Sequence, residues 1–161
     1  MEEIAFRRVT EAELAPLEEA LAALSADLGD AHAPQQAQLA RAVLGPAPSA
    51  HGLLAVREGR TMGAALFSPV YSTVRAAAGV HVSDLWVAPQ ARGHGLGRAL
   101  LAEVARAGAG LWAADWLKLA VYDHSRESQA FYRRLGFHPA DGMQEMRLDA
   151  GATAALIGRA G

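Results

Sequence analysis

The stretch Val87-Ala88-Pro89-Gln90-Ala91-Arg92-Gly93-His94-Gly95-Leu96-Gly97-Arg98-Ala99-Leu100-Leu101 decides the fold. A Val-rich run over residues 80–88 reads as a strand, and Pro89 ends it. Three glycines at alternate positions follow, and residues 96–107 then carry apolar side chains at helical spacing. Glycine accepts positive φ and lets a ligand approach the bare main chain. Strand, turn and helix therefore gather the backbone N–H groups of Gly93, His94, Gly95, Leu96, Gly97 and Arg98 at one helix start, a setting suited to phosphate. Arg92 and Arg98 flank the turn and can add charge-assisted hydrogen bonds. The bland reading is a glycine-rich turn with surface arginines. A Walker loop is excluded because Arg98-Ala99, not Lys-Ser/Thr, follows Gly97. A dinucleotide fold is excluded by the glycine spacing and the mid-chain position.

Outward from this turn, the pattern is mixed. Residues 4–9 read as a short strand. Thr10 and Glu13 form a capping box for a helix whose stripe is Leu14, Leu17, Leu21, Leu24 and Leu28, ended by Gly29-Asp30. Pro34 opens a second helix, stopped by Gly45-Pro46. Residues 51–57 and 62–72 read as strands joined at Glu58-Gly59-Arg60. After the turn and its helix come a strand at 116–122 and a helix at 127–135 capped by Gly136. Strands at 137–138 and 143–148 and a terminal helical turn at 153–159 complete the order. The expectation is an α/β (α+β) chain with an antiparallel first half and a helix-linked second half.

Composition narrows the classes. With 161 residues, 52% hydrophobic and 20% charged, the chain is expected to fold as one domain, 1–161, and not as a disordered polymer. Fifteen Lys and Arg against 17 Asp and Glu give no basic excess, so no nucleic-acid partner is expected. The absence of cysteine excludes disulfides, thiolate metal sites and a cysteine nucleophile, and suits a cytoplasmic protein. Met1-Glu2-Glu3 does not begin a secretory signal. Glu103, Arg106 and Asp115 interrupt the Ala-rich stretch at 100–117, so no membrane span is expected. Asp123 and His124 are adjacent and point to opposite faces, a poor ligand pair, so no metal is expected.

Arg92-x-x-Gly95-x-Gly97 after Leu85-Trp86-Val87-Ala88-Pro89 resembles the acetyl-CoA signature of the GCN5-related N-acetyltransferases (GNAT superfamily). The segment Ser125-Arg126-Glu127-Ser128-Gln129-Ala130-Phe131-Tyr132-Arg133-Arg134-Leu135-Gly136-Phe137 resembles that family's Asn-x-x-Ala-x-x-Phe-Tyr-x-x-x-Gly-Phe segment. Within the family, Tyr71-Ser72-Thr73 and Leu85-Trp86-Val87 look most like the diamine and thialysine acetyltransferase branch. Where that branch carries a glutamate that assists amine deprotonation, this chain has Ser83. The resemblance implies a mostly antiparallel sheet with helices on both faces and a splayed strand pair. It implies acetyl-CoA bound by Leu85, Trp86, Val87, Arg92, the turn residues 93–98, Ser125, Glu127 and Ser128. A homodimer formed through edge strands or the tail after Leu148 is implied as well. The reaction implied is direct acetyl transfer to a small primary amine, with Ser83, Asp84, Lys118, Leu119 and Ala120 near the acceptor.

The residues fit the proton traffic such a reaction needs. Tyr132 matches the family's general acid, and a phenol with pKa near about 10 stays protonated at neutral pH. Alternation places His81, Ser83, Leu85 and Val87 on one strand face and Val80, Val82, Asp84 and Trp86 on the other, unless a bulge intervenes. His81 is the first candidate for the base and Asp84 the second; a water chain without a dedicated base is the third route. Two rival functions stay open: a protein N-terminal or lysine acetyltransferase, and a non-catalytic acyl-CoA-binding module.

Overall fold

Glu58 and Gly59 both hold positive φ, 51° and 73°, the geometry of a two-residue turn that matches strand twist. They fold β2 (His51–Arg57) back onto β3 (Arg60–Ser72). In this computed structural model, which describes residues 3–33 and 36–159, β1 (Ala5–Arg8), β4 (Ala77–Val87) and β5 (Trp116–Leu119) complete a five-stranded sheet in the order β1-β2-β3-β4-β5. Every neighbouring pair is antiparallel except β4 and β5, which are parallel. Mixed α/β architecture is thus as the sequence indicates. The described residues divide into two compact units, one up to Tyr122 and one from Asp123 onward. The sheet belongs to the first.

Thr10 donates its N–H to the Glu13 carboxylate at 2.9 Å, and its hydroxyl bonds the same oxygen, so the capping box forms. A short 3-10 turn there leads into α1 (Leu14–Leu28), which ends at Gly29 with φ 75°. α1 and α2 (Gln36–Leu44) cover one sheet face, where Leu17, Leu21, Leu39, Leu54 and Ala64 form a core cluster. The expected helix start at Pro34 lies outside the described residues. α3 (Leu96–Trp112) covers the opposite face, burying Leu100, Leu101 and Val104. Full burial of a leucine or phenylalanine side chain stabilises by about 1.5–3 kcal/mol, and Leu17, Leu54, Phe67 and Leu100 are all fully buried. Among the described residues no helix is long and apolar enough to cross a membrane.

The second unit holds α4 (Arg126–Arg134) and α5 (Ala150–Arg159). Gly136, at φ 99°, ends the α4 segment as expected. The strands expected at 137–138 and 143–148 do not form. A strand exists only through pairing, and Pro139 lacks an amide donor while Gly142 turns the chain at φ 74°. The apolar positions Met143, Met146 and Leu148 break two-residue alternation, and all three are exposed. β5 also stops at Leu119 instead of Tyr122, which leaves Ala120 just beyond it.

Two features of the first unit carry tests. Gly79 lies against the Trp116 indole, where an added Cβ would stand 2.3–2.8 Å from ring atoms. Gly79→Ala should lower stability by about 1–3 kcal/mol, the usual cost of overpacking, read from urea denaturation. His51 sits between the Phe67 and Trp112 rings, with centroids 5.8 and 5.0 Å away, and its Nδ1 accepts a hydrogen bond from Arg8 at 3.0 Å. Burial, and then the Arg8 charge, push the His51 pKa down. The folded state therefore binds fewer protons than the unfolded chain. The His51 contribution is complete above about pH 6.5, the unfolded value, and is lost as pH falls through the depressed folded value. His51→Gln should flatten the Tm-against-pH curve in that window.

Candidate active site

β4 pairs with β3 through an irregularity. Val82 faces Phe67 and Asp84 faces Leu66, so Ser83 is an extra residue, a β-bulge. The Ser83 hydroxyl donates to the Leu66 carbonyl at 3.2 Å, restoring part of the ladder there. The parallel pairing with β5 ends at the same place: Gly79, Val80, His81 and Val82 lie beside Trp116, Leu117, Lys118 and Leu119. Beyond it, among the described residues, no strand lies along the outer edge of β4 from 83 to 87. Ala88 turns its N–H toward β3, to the Met62 carbonyl at 2.8 Å. Backbone groups alternate along a strand, so Leu85 and Val87 direct theirs into the gap left by β5. The splayed strand pair is present.

The bulge corrects the face assignment. Simple alternation separates His81 from Asp84. The extra residue instead places His81, Asp84 and Trp86 on the α1 face, opposite Ser68, Leu66 and Ala64. Trp86 packs beside the α1 cluster, and its indole Nε1 is buried with no partner among the described residues. The side chain of Trp86 therefore belongs to the core. Lys118, beside His81, shares that face, whereas Leu119 pairs with Val82 on the α3 face. Burial raises the Asp84 pKa, while the Ser83 hydroxyl and the nearby His81 oppose the shift. Asp84 and His81 are thus electrostatically coupled on the face that α1 covers.

At the end of β4 a 3-10 turn, Pro89–Ala91, leads to the glycine turn. Gly93 and Gly95 have φ 79° and 81°, and Gly95 caps α3. A Cβ at either would meet nothing within 4 Å, so the left-handed backbone, not space, demands glycine. The first helical bond runs from Ala99 N–H to Gly95 O, at 3.0 Å. The preceding amides of Leu96, Gly97 and Arg98 thus lie at the open start of a 17-residue helix. Arg98 is exposed beside them. Arg92 does something sequence reasoning missed. Its Nε donates to Val87 O at 2.9 Å and its Nη2 pairs with Asp27 of α1 at 2.7 Å, so the guanidinium is turned toward α1. His94 Nδ1 donates to Arg92 O at 2.8 Å, bracing the turn. Asp27 had no local signal, because 65 residues separate it from Arg92.

In the second unit, Ser125 precedes α4, with Glu127 and Ser128 in its first turn. Tyr132 lies on α4 between Phe131 and Phe137, with ring centroids 5.2 and 5.5 Å away. Burial raises its pKa, so its hydroxyl stays protonated throughout the neutral range.

An open strand edge, a bulge and a glycine turn at a helix start lie in series along β4. The sequence matches the Acetyltransferase (GNAT) family over residues 16–137, and the chain belongs to that family of N-acetyltransferases. Three solved structures share the fold. An integron cassette protein from the mobile metagenome of V. cholerae has a TM-score of 0.77 at 18% identity, covering 98% of this chain and 99% of that one. A ribosomal-protein-alanine N-acetyltransferase from Brucella melitensis biovar Abortus 2308 has 0.73 at 16%, covering 91% and 100%. An aminoglycoside acetyltransferase from an uncultured soil metagenomic sample has 0.74 at 18%, covering 92% and 100%. No curated protein matches the sequence. Members of the family use acetyl-CoA. Left-handed glycines, open helix amides and the free β4 edge in this chain fit a diphosphate joined to an extended, amide-bearing arm.

The glycine turn can be tested directly. Gly95→Ala forces a β-carbon into left-handed backbone at a cost of about 1–2 kcal/mol. Coenzyme A affinity measured by calorimetry should fall about tenfold, with little change in the far-UV circular dichroism.

Proposed function

We propose that this protein acetylates a primary amine, most suitably a small molecule, by direct attack on the thioester of acetyl-CoA. One observation carries the reading: the phosphate-type turn lies at the end of the same strand whose edge β5 leaves open. The residues that would hold the cofactor are the amides of 93–98 with Arg98, and the backbone of Leu85 and Val87. When bound, acetyl-CoA supplies the activated acyl group. A backbone donor at Val87 aimed at the thioester oxygen is worth about 3–4 kcal/mol of barrier lowering.

The amine arrives as an ammonium and must lose a proton. His81 accepts it, with Asp84 on the same face holding negative charge toward the cation. The nitrogen–carbon bond forms as the carbon–sulfur bond breaks, and the leaving sulfur takes a proton from the phenol of Tyr132. Tyr132 is supported by the match of its segment to the family and by its protonated state. Ser83 cannot replace the glutamate of the diamine branch as a base, since a neutral hydroxyl is far too weakly basic to take a proton from an ammonium. His81 supplies that function from two residues earlier.

Thiol release from acetyl-CoA, followed with 1,4-diaminobutane, a lysine ester, an aminoglycoside and an alanine-ended peptide, tests the reading. Tyr132→Phe should bind coenzyme A normally and lose kcat by about 10²–10⁴-fold, the usual worth of a general acid. His81→Ala should lose activity most at low pH, where the ammonium dominates. If no amine accelerates thiol release above hydrolysis and Tyr132→Phe is silent, the chain is a binding module. If only the peptide is acetylated, it is a protein N-terminal acetyltransferase.

A further inference from the structure

We propose that Asp27 and Asp30 are positioning residues that clasp the end of α1 across the acceptor side of the β4–β5 gap. This rests on the acetyl-transfer reading. The base candidates face α1, so the amine must reach the gap from that side. The two strands beside the gap end in different partners. Past β4, Arg92 grips the Val87 carbonyl at 2.9 Å and Asp27 at 2.7 Å. Past β5, the Tyr122 hydroxyl donates to Asp30 at 2.8 Å. Asp27 and Asp30 are three residues apart and straddle the left-handed Gly29 at the end of α1. The Asp30 N–H closes that turn onto Ser25 O at 2.8 Å. The end of α1 thus holds the chain just past both strands.

Stability is a poor explanation for these contacts. The Arg92 and Asp27 side chains are half-exposed, and such pairs contribute about 0–1 kcal/mol. Their geometric consequence is larger. They fix the width of the opening through which an acceptor reaches His81 and Asp84, while the glycine amides that suit the diphosphate remain outside the clasp.

The test uses Asp27→Ala, Asp30→Ala, Tyr122→Phe and the conservative Asp27→Glu, with the fastest amine of the panel as the probe. The alanine variants and Tyr122→Phe should raise its KM about fivefold to tenfold, with kcat and coenzyme A affinity within about twofold. Asp27→Glu should restore most of the loss. Hydrogen exchange at the amides of 25–30 should quicken in the alanine variants while the sheet amides stay unchanged. An unaltered KM, or a KM that rises only in step with weakened coenzyme A binding, would overturn the proposal. So would unaltered exchange. Wild-type protein inert to every amine sinks the transfer reading and the acceptor role together; quickened exchange in the variants would then show that the clasp itself exists.

Discussion

Inserting Ser83 between residues that face Phe67 and Leu66 interrupts the β3–β4 ladder and increases the local twist of β4. Pairing between β4 and β5 ends at Val82, the residue before it. The disrupted backbone is partly repaid by the Ser83 hydroxyl on Leu66 O, a bond of the sort worth about 0.5–1.5 kcal/mol net. In return, one insertion opens an edge of backbone donors and acceptors, brings His81 and Asp84 onto one face, and points β4 at the glycine turn. Without it β4 could continue beside β5, and no gap would exist for an extended ligand.

Elements set by local chemistry were legible in the sequence. The glycine turn, the Thr10–Glu13 capping box and the Leu stripe of α1 each depend on residues within a few positions of one another. The bulge was not legible, because its position is decided by pairing with residues 17 positions away. Alternation therefore put His81 and Asp84 on opposite faces. Strand-like composition near the C-terminus misled for the complementary reason: composition describes a willingness to pair and says nothing about a partner. Arg92 shows the same limit at a single residue. Its place in the signature suggested phosphate, yet its charge is directed at a carboxylate from a helix 65 residues earlier.

Asp84 is the least comfortable group on the α1 face. Its neighbours there are Trp86 and Leu66, and burial makes its charged form costly. Natural folds retain such a group where its charge is useful, and perturbed carboxylates beside a histidine are common at reacting centres. A cation on that face would relieve the cost.

The glycine turn presents backbone amides, whereas the end of α1 is held by side chains. Amides at Gly93–Arg98 are fixed by φ and by the helix, so no side-chain freedom is lost when an anion settles there. The Arg92 guanidinium bonds the Val87 carbonyl and Asp27. The Arg92 and Asp27 side chains order one another, and Asp30 is held by the Tyr122 hydroxyl. An anion settling at the turn would then meet a surface organised before binding.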